Sequence, residues 1–308
     1  MSSIKTVSII GASGNIGAPA VQELLKAGFQ VTALTRKDSA STFPLGVRVQ
    51  RLDFDSFAEL KDAFTGQDAV VSTISTAGSS TGQQLLMVDA AVAAGVKRFI
   101  PSEFGVADYA NSLPYPEMAN VIRGKLELLE YLIVMAKQHE GFPWTRICTG
   151  LFFNWALVVG HLGFNRHAQS ASIYDSGDEP FHVSSHSFIG KATAAILRLP
   201  DKTRNRFLVV ASFIGTQNKL LEAIEGLSGS KWQVKKIDSE AVRRAAVDEI
   251  DQKGADVDFR AYQDLLACFL YGDGKGTHAK PAATDNELLG LESEDPEDTL
   301  REWLAGRI

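Results

Sequence analysis

The stretch "VSIIGASGNIGAPAVQELLKAGFQVTALTRK", residues 7–37, decides the fold. An apolar run rich in β-branched residues ends on Gly11, and glycines follow at Gly14 and Gly17. A helical run then closes on Gly28, and a second apolar run ends on Arg36 and Lys37. Three glycines between a strand and a helix have separate duties. The first allows a tight turn, the second lets backbone approach a pyrophosphate, and the third lets helix and strand pack closely. The pyrophosphate then meets the helix N-terminus, where unpaired N–H groups and the dipole favour negative charge. Strand, glycines, helix and second strand arrive here in order. That context reads as dinucleotide binding through Gly11, Ser13, Gly14, Asn15, Ile16 and Gly17.

The end of the second strand bears on which dinucleotide. An NAD site usually puts an acid there for the ribose hydroxyls, whereas this chain has Thr35, Arg36 and Lys37, two cations suited to a 2'-phosphate. One charge-assisted hydrogen bond contributes about 1.5–3 kcal/mol, enough for roughly a tenfold to hundredfold preference for NADP(H). Two alternatives stay open: both cations are plain surface charges, or Asp38 binds the ribose.

Outward from this unit, short apolar runs alternate with helical periodicity as far as residue 105. This is the pattern of βαβ units and a parallel sheet covered on both faces. "VRVQRLDF" is a third strand, "DAVVSTIS" a fourth and "KRFIPSEFG" a fifth. "SFAELKDAFTG" between them is a helix with Ser56 as N-cap and Glu59 completing a capping box. The expected fold is therefore α/β, a doubly wound parallel sheet of Rossmann type. A proline-bearing loop and a helix over 116–139 follow, then a sixth strand, "FPWTRICTGLFFNW". Beyond residue 156 the alternation is irregular, with a Gly/Ser/Asp/His-rich tract at 160–186 and a loop, expected to be mobile, at 271–286. We expect a nucleotide-binding part over 1–156 and a smaller substrate lobe over 157–308, interleaved with the sheet.

Composition narrows the function classes. A net charge of -6 without long basic runs argues against a nucleic-acid binder. Two cysteines, Cys148 and Cys268, form neither a disulfide framework nor a metal motif. His182 and His186 lie four apart without a third ligand, so they read as polar loop histidines and no metal is expected. No signal segment or long apolar span is visible, so the expectation is a cytoplasmic protein that neither enters nor binds a membrane. No G-x-S-x-G turn marks a hydrolase.

On the helix after the proline loop, Val121, Lys125, Leu128, Leu132 and Met135 share one face. A lysine in such a stripe either lays its stem on apolar surface and keeps its ammonium in water, or is desolvated into an acid/base. Short-chain dehydrogenases pair such a lysine with a tyrosine four residues earlier; here that position is Val121, and Tyr109 and Tyr115 lie only in the preceding loop. Farther on, Phe152, Phe153, Trp155 and Phe164 cluster where an open sheet places its ligand crevice.

"GASGNIG", "LTRK", "VVSTIS", "GQQLLMVDAAVAAGVKRFIPSEFG", "GKLELLEYL" and "FPWTRICTGLFFNW" together resemble the isoflavone reductase-like and NmrA-like atypical short-chain reductases. That group includes phenylcoumaran benzylic ether and pinoresinol-lariciresinol reductases. The likeness covers the first half of the chain and implies an NADPH-binding sheet with a substrate lobe. It puts the catalytic lysine on Lys125, which also borders the cofactor, and the phosphate-binding pair on Arg36 and Lys37. A cofactor loop falls on Ser72, Thr73, Ile74 and Ser75, and a helix glutamine on Gln83 or Gln84, with Gln83 taken for the site. The nicotinamide and substrate segment falls on 150–154, with Gly150, Phe152 and Phe153 against the cofactor. Phe104, Phe152, Phe153 and Tyr174 are the expected substrate contacts. The implied activity is hydride transfer from NADPH to a small, largely apolar, aromatic substrate of phenylpropanoid or isoflavonoid type. The rival is an NADP(H)-binding sensor of NmrA type without turnover. A homodimer is compatible with either.

Overall fold

A computed structural model describes residues 3–75, 82–105, 119–254, 257–275 and 284–308, the side chains of 119–122 excepted. Five parallel strands, β1 (Thr6–Ile10), β2 (Gln30–Arg36), β3 (Arg48–Leu52), β4 (Ala69–Ser72) and β5 (Arg98–Ile100), form a sheet in the order β3-β2-β1-β4-β5. Their apolar runs follow from burial on both faces: every residue of β4, and all but the first of β1, is buried. The chain winds outward from β1 to β3 and then crosses back to β4. The switch point, where such sheets open a crevice at the strands' carboxyl ends, therefore lies between β1 and β4.

The later strands are β6 (Thr145–Cys148), β7 (Leu151–Phe152), β8 (Phe164–Asn165), β9 (Ser170–Tyr174), β10 (Phe181–Ser184), β11 (Arg206–Val209), β12 (Phe213–Gly215) and β13 (Gln233–Ile237). β6 extends the sheet beyond β5 through a parallel Phe99–Trp144 bridge and pairs on its other side with β11. β10 lies between β7 and β12, and β9 between β13 and β8. The run expected as one sixth strand is divided, because Gly150 at φ +68° turns the chain between β6 and β7. A helix, Phe153–Val158, follows at once.

The helices Gly17–Lys26 and His186–Arg198 cover one sheet face, with Val21, Leu24, Ile189, Ala192 and Ile196 buried between them. They cross closely, since a Cβ on Gly190 would stand 2.6 Å from the Pro19 carbonyl oxygen. The helices Phe57–Phe64, Gln83–Ala93 and Ala119–Gln138 cover the opposite face through Leu60, Phe64, Met87, Leu128 and Leu132. A separate core gathers Leu151, Phe153, Phe181, Val183, Leu265, Phe269, Tyr271 and Trp303. β11 and the helix His186–Arg198 pack with the first half of the chain although they lie past residue 156.

Candidate active site

One run of contacts joins the carboxyl ends of β1, β4, β5 and β6. Gly11, at φ +76°, passes so close to the end of β4 that a Cβ would stand 2.7 Å from the Thr73 carbonyl oxygen. Thr73 donates its backbone N–H and its hydroxyl to the Ile10 carbonyl at 2.9 and 2.8 Å. The Ile74 carbonyl accepts from Ser102 Oγ at 2.7 Å. Ser102 leads into Gly105, whose carbonyl accepts the N–H groups of Thr149 at 3.1 Å and Gly150 at 2.9 Å. Lys125 Nζ lies 3.9 Å from where a Cβ on Gly105 would be. The glycine loop, the Ser72–Ser75 loop, Lys125 and Gly150 thus occupy one edge of the sheet.

The glycine loop has little room for side chains. Gly14 donates to the Gly11 carbonyl at 2.9 Å, and a Cβ on Gly17 would fall 2.1 Å from that carbonyl oxygen. Gly17–Lys26 starts behind Ile16 with neither a side-chain cap nor an acid in its first turn, which leaves the positive helix end open. Ser13 and Asn15 are exposed beside it, and Ile16 is buried.

A cleft of about 650 Å³ extends from this loop between the ends of β2, β3 and β4, lined by Gly11, Ser13, Arg36, Lys37, Asp53, Asp55, Ile74, Ser75 and Gln83. The Arg36 side chain is exposed and makes no hydrogen bond or ion pair among the described residues. Lys37 differs, because its ammonium is 2.7 Å from Glu59 Oε1. This hydrogen bond raises the Lys37 pKa and lowers that of Glu59. The capping box is half made: Ser56 Oγ accepts the Glu59 N–H at 3.3 Å. The Glu59 carboxylate, instead of turning back to Ser56, accepts the Asp53 N–H at 2.9 Å and holds Lys37. Of the two glutamines, Gln83 lines the cleft and donates to Asp55 at 3.1 Å. Gln84 is buried, accepting the Ser102 N–H at 2.9 Å.

Ser39 and Ser41, which the motif reading passed over, also line the cleft. Ser39 Oγ donates to Ser41 Oγ and Ser41 Oγ to Ser13 Oγ, each at 3.1 Å, so hydroxyls bridge the glycine loop and the β2–β3 connection. The signal for them was local: the hydroxyl-rich "SAST" directly follows "LTRKD".

Around Lys125, Leu128 and Leu132 are buried, while Lys125 itself is half-buried. Tyr109 and Tyr115 lie outside the described residues, as do the Val121 side chain and much of the 271–286 loop. Gly150 accepts no substituent, because a Cβ would be 2.3 Å from the His182 carbonyl oxygen. The Ser72 and Thr149 hydroxyls, at the ends of β4 and β6, are buried without a hydrogen-bond partner among the described residues.

Several residues expected against a ligand take part in packing. Phe153 is fully buried in the lobe core with its ring centroid 5.1 Å from that of Phe213, because the Gly150 turn sends it inward. Tyr174 packs on Tyr271 at 5.7 Å, and burial pushes its phenol up to about 12. Phe104 is buried in the core beneath the sheet, whereas Phe152 and Tyr174 are half-buried. The two histidines are not loop residues: His182 is buried on β10, and His186 opens the helix His186–Arg198. Among the described residues there is no cluster of side chains able to hold a metal ion, and no helix long and apolar enough to cross a membrane.

A tightly sealed pair lies beside this edge. Arg146 Nε donates to Glu103 Oε2 at 3.0 Å with both side chains almost wholly buried, and the guanidinium carbon sits 4.6 Å from the Phe207 ring centroid.

Comparison with known proteins supports this reading of the fold. The chain is 34% identical over 303 residues to oxidoreductase aprR of Aspergillus flavus, covering 97% of this chain and 99% of that protein. It is 33% identical over 302 residues to oxidoreductase poxI of Penicillium oxalicum, covering 95% and 92%. Leucoanthocyanidin reductase of Vitis vinifera, solved as a binary complex with NADPH, shares the fold at a TM-score of 0.81 and 20% identity, over 97% of this chain and 99% of that one. The model of the NmrA-like family matches residues 3–276, and the chain belongs to that family.

Proposed function

We propose that the protein is an NADP(H)-dependent oxidoreductase that reduces a small, largely apolar, aromatic substrate, with Lys125 as its acid/base. The observation that carries the reading is the position of the Lys125 ammonium against Gly105, whose carbonyl is tied to Gly150, on the same sheet edge as the glycine loop. The names of the two fungal oxidoreductases and the NADPH in the grapevine structure support it.

The residues fit a dinucleotide. Gly11 and Gly14 leave backbone open to a diphosphate at an uncapped helix end, Gly17 lets that helix pack against the loop, and Arg36, unpartnered among the described residues, offers its guanidinium to a 2'-phosphate. NADPH, when bound, supplies the hydride. Reduction also consumes one proton, and Lys125 delivers it to the substrate oxygen directly or through a water. Phe152, half-buried beside Gly150, excludes water from one side of that transfer.

Fluorescence titration of the purified chain with NADPH and NADH tests the cofactor, and Lys125→Ala tests the chemistry. The expected result is NADPH binding within about threefold of wild type and a turnover loss of roughly 10²–10⁴. Unchanged turnover removes the lysine from the mechanism. NADPH binding without its oxidation across a panel of phenolic and carbonyl compounds selects the sensor reading.

A further inference from the structure

The two cations at the lip of the cleft are not equivalent. Arg36 ends β2 with its guanidinium in solvent and unpartnered among the described residues. Lys37, the next residue, is held by a carboxylate that is itself anchored. Glu59 Oε1 is 2.7 Å from Lys37 Nζ, and Oε2 accepts the Asp53 N–H at 2.9 Å. The Glu59 backbone N–H is taken by the Ser56 hydroxyl at 3.3 Å. Glu59 therefore sits at a fixed point between the turn after β3 and the first turn of Phe57–Phe64, and it cannot follow Lys37 toward a ligand without giving up the Asp53 bond. Asp38, Asp53 and Asp55 line the same cleft. Among the described residues, a 2'-phosphate arriving at this lip meets one free cation, one neutralised cation and several carboxylates.

We propose that Glu59 sets the cofactor selectivity of the cleft by holding Lys37 out of full engagement with the 2'-phosphate. The inference rests on the reading of the cleft as an NADP(H) site. Its consequence is that Arg36 alone carries most of the discrimination. The wild-type protein then prefers NADPH over NADH by a margin smaller than two cations would provide. The pair persists at neutral pH, since each partner holds the other in its charged form.

The test is the ratio of NADH to NADPH dissociation constants, by fluorescence titration of the full chain at fixed ionic strength. The variants are Glu59→Gln, Lys37→Ala, Arg36→Ala and the double variant Glu59→Gln/Lys37→Ala. In Glu59→Gln the amide oxygen still accepts the Asp53 N–H, so the turn is preserved while the charge is removed. The expected result is a rise in NADPH affinity of about three- to tenfold with NADH affinity changed less than about twofold. The gain should vanish in the double variant, because it passes through Lys37. Lys37→Ala alone should weaken NADPH far less than Arg36→Ala does.

An unchanged or lowered NADPH preference in Glu59→Gln overturns the proposal and makes Glu59 a residue that orients Lys37 for the phosphate. A Lys37→Ala loss as large as that of Arg36→Ala overturns it independently, whether or not the Glu59 variant folds. Wild-type protein that binds neither nucleotide refutes the reading of the cleft itself, a result distinct from both.

Discussion

A methyl group added at Gly17 would stand 2.1 Å from the Gly11 carbonyl oxygen, and the atoms it meets are backbone, which cannot rotate away as a side chain can. Gly17→Ala must therefore push the helix Gly17–Lys26 off β1. The expected cost is about 1–3 kcal/mol of stability and at least about a tenfold loss of nucleotide affinity, read by thermal melting and by NADPH titration. Gly150 is bounded in the same way by the His182 carbonyl, but nothing near it in the sequence announces that neighbour, which lies 32 residues along the chain. The difference is one of range. The Gly17 contact is made within the motif, whereas the Gly150 contact exists only once β10 has paired with β7. Glu59 illustrates the same point, since it reads locally as half of a capping box and acts across the fold as the partner of Lys37.

Strands and helices are coupled by buried polar groups that the apolar pattern hides. Arg98, the first residue of β5, is fully buried. It donates to Thr145 at 2.6 Å, Thr203 at 2.8 Å and the Pro200 carbonyl at 2.5 Å, and burial lowers its pKa to about 10. It fastens β5 to β6 and to the helix Pro200–Thr203. The Glu103–Arg146 pair links the end of β5 to β6 in the same way. Removing one partner leaves a buried charge exposed to no compensating group, so Arg146→Ala should cost about 3–5 kcal/mol in denaturant unfolding. Replacing both with apolar residues, Glu103→Leu with Arg146→Met, should cost less than either single change, because no charge is then stranded. A double variant less stable than both singles would contradict this. The short strands β8, β9 and β10, inside a tract rich in Gly, Ser, Asp and His, escaped the sequence reading for a related reason. Their stability comes from partners at residues 213–215 and 233–237, not from a periodicity of their own.

At the scale of the molecule, stability should fall on acidification through the core around Tyr271. His161 packs between the Trp155 and Tyr271 rings at 5.6 and 6.2 Å, with Nε2 buried and unpartnered among the described residues, and desolvation lowers its pKa from 6.5 to about 4. The unfolded chain then binds a proton that the folded chain refuses. Stability is full above pH 6.5 and is lost as pH drops toward 4, by up to about 3 kcal/mol. Glu294 acts in the same direction. Burial raises its pKa, but hydrogen bonds from Ser185, Lys191 and Ser212 lower it further, so the stabilisation it gives above its unfolded pKa fades as acid protonates it. Melting temperature measured from pH 7 to pH 4.5 should decline, and His161→Phe should flatten the slope. A His161→Phe profile parallel to wild type would remove the histidine from the effect.

The sequence by itself determined the α/β class, the first five strands along the chain and the glycine loop, because each is written in spacings of a few residues that the backbone must obey. It also singled out Lys125 as an oddity in an apolar stripe. Tertiary structure alone decided which side chains share the sheet edge with that lysine, that Phe153 lies in a core with Tyr174 packed against it, and that Lys37 is claimed by Glu59 while Arg36 is not. Those outcomes depend on pairings between distant segments. A residue's neighbours across a packed interface are set by the summed burial and charge of the whole chain, which no local pattern encodes.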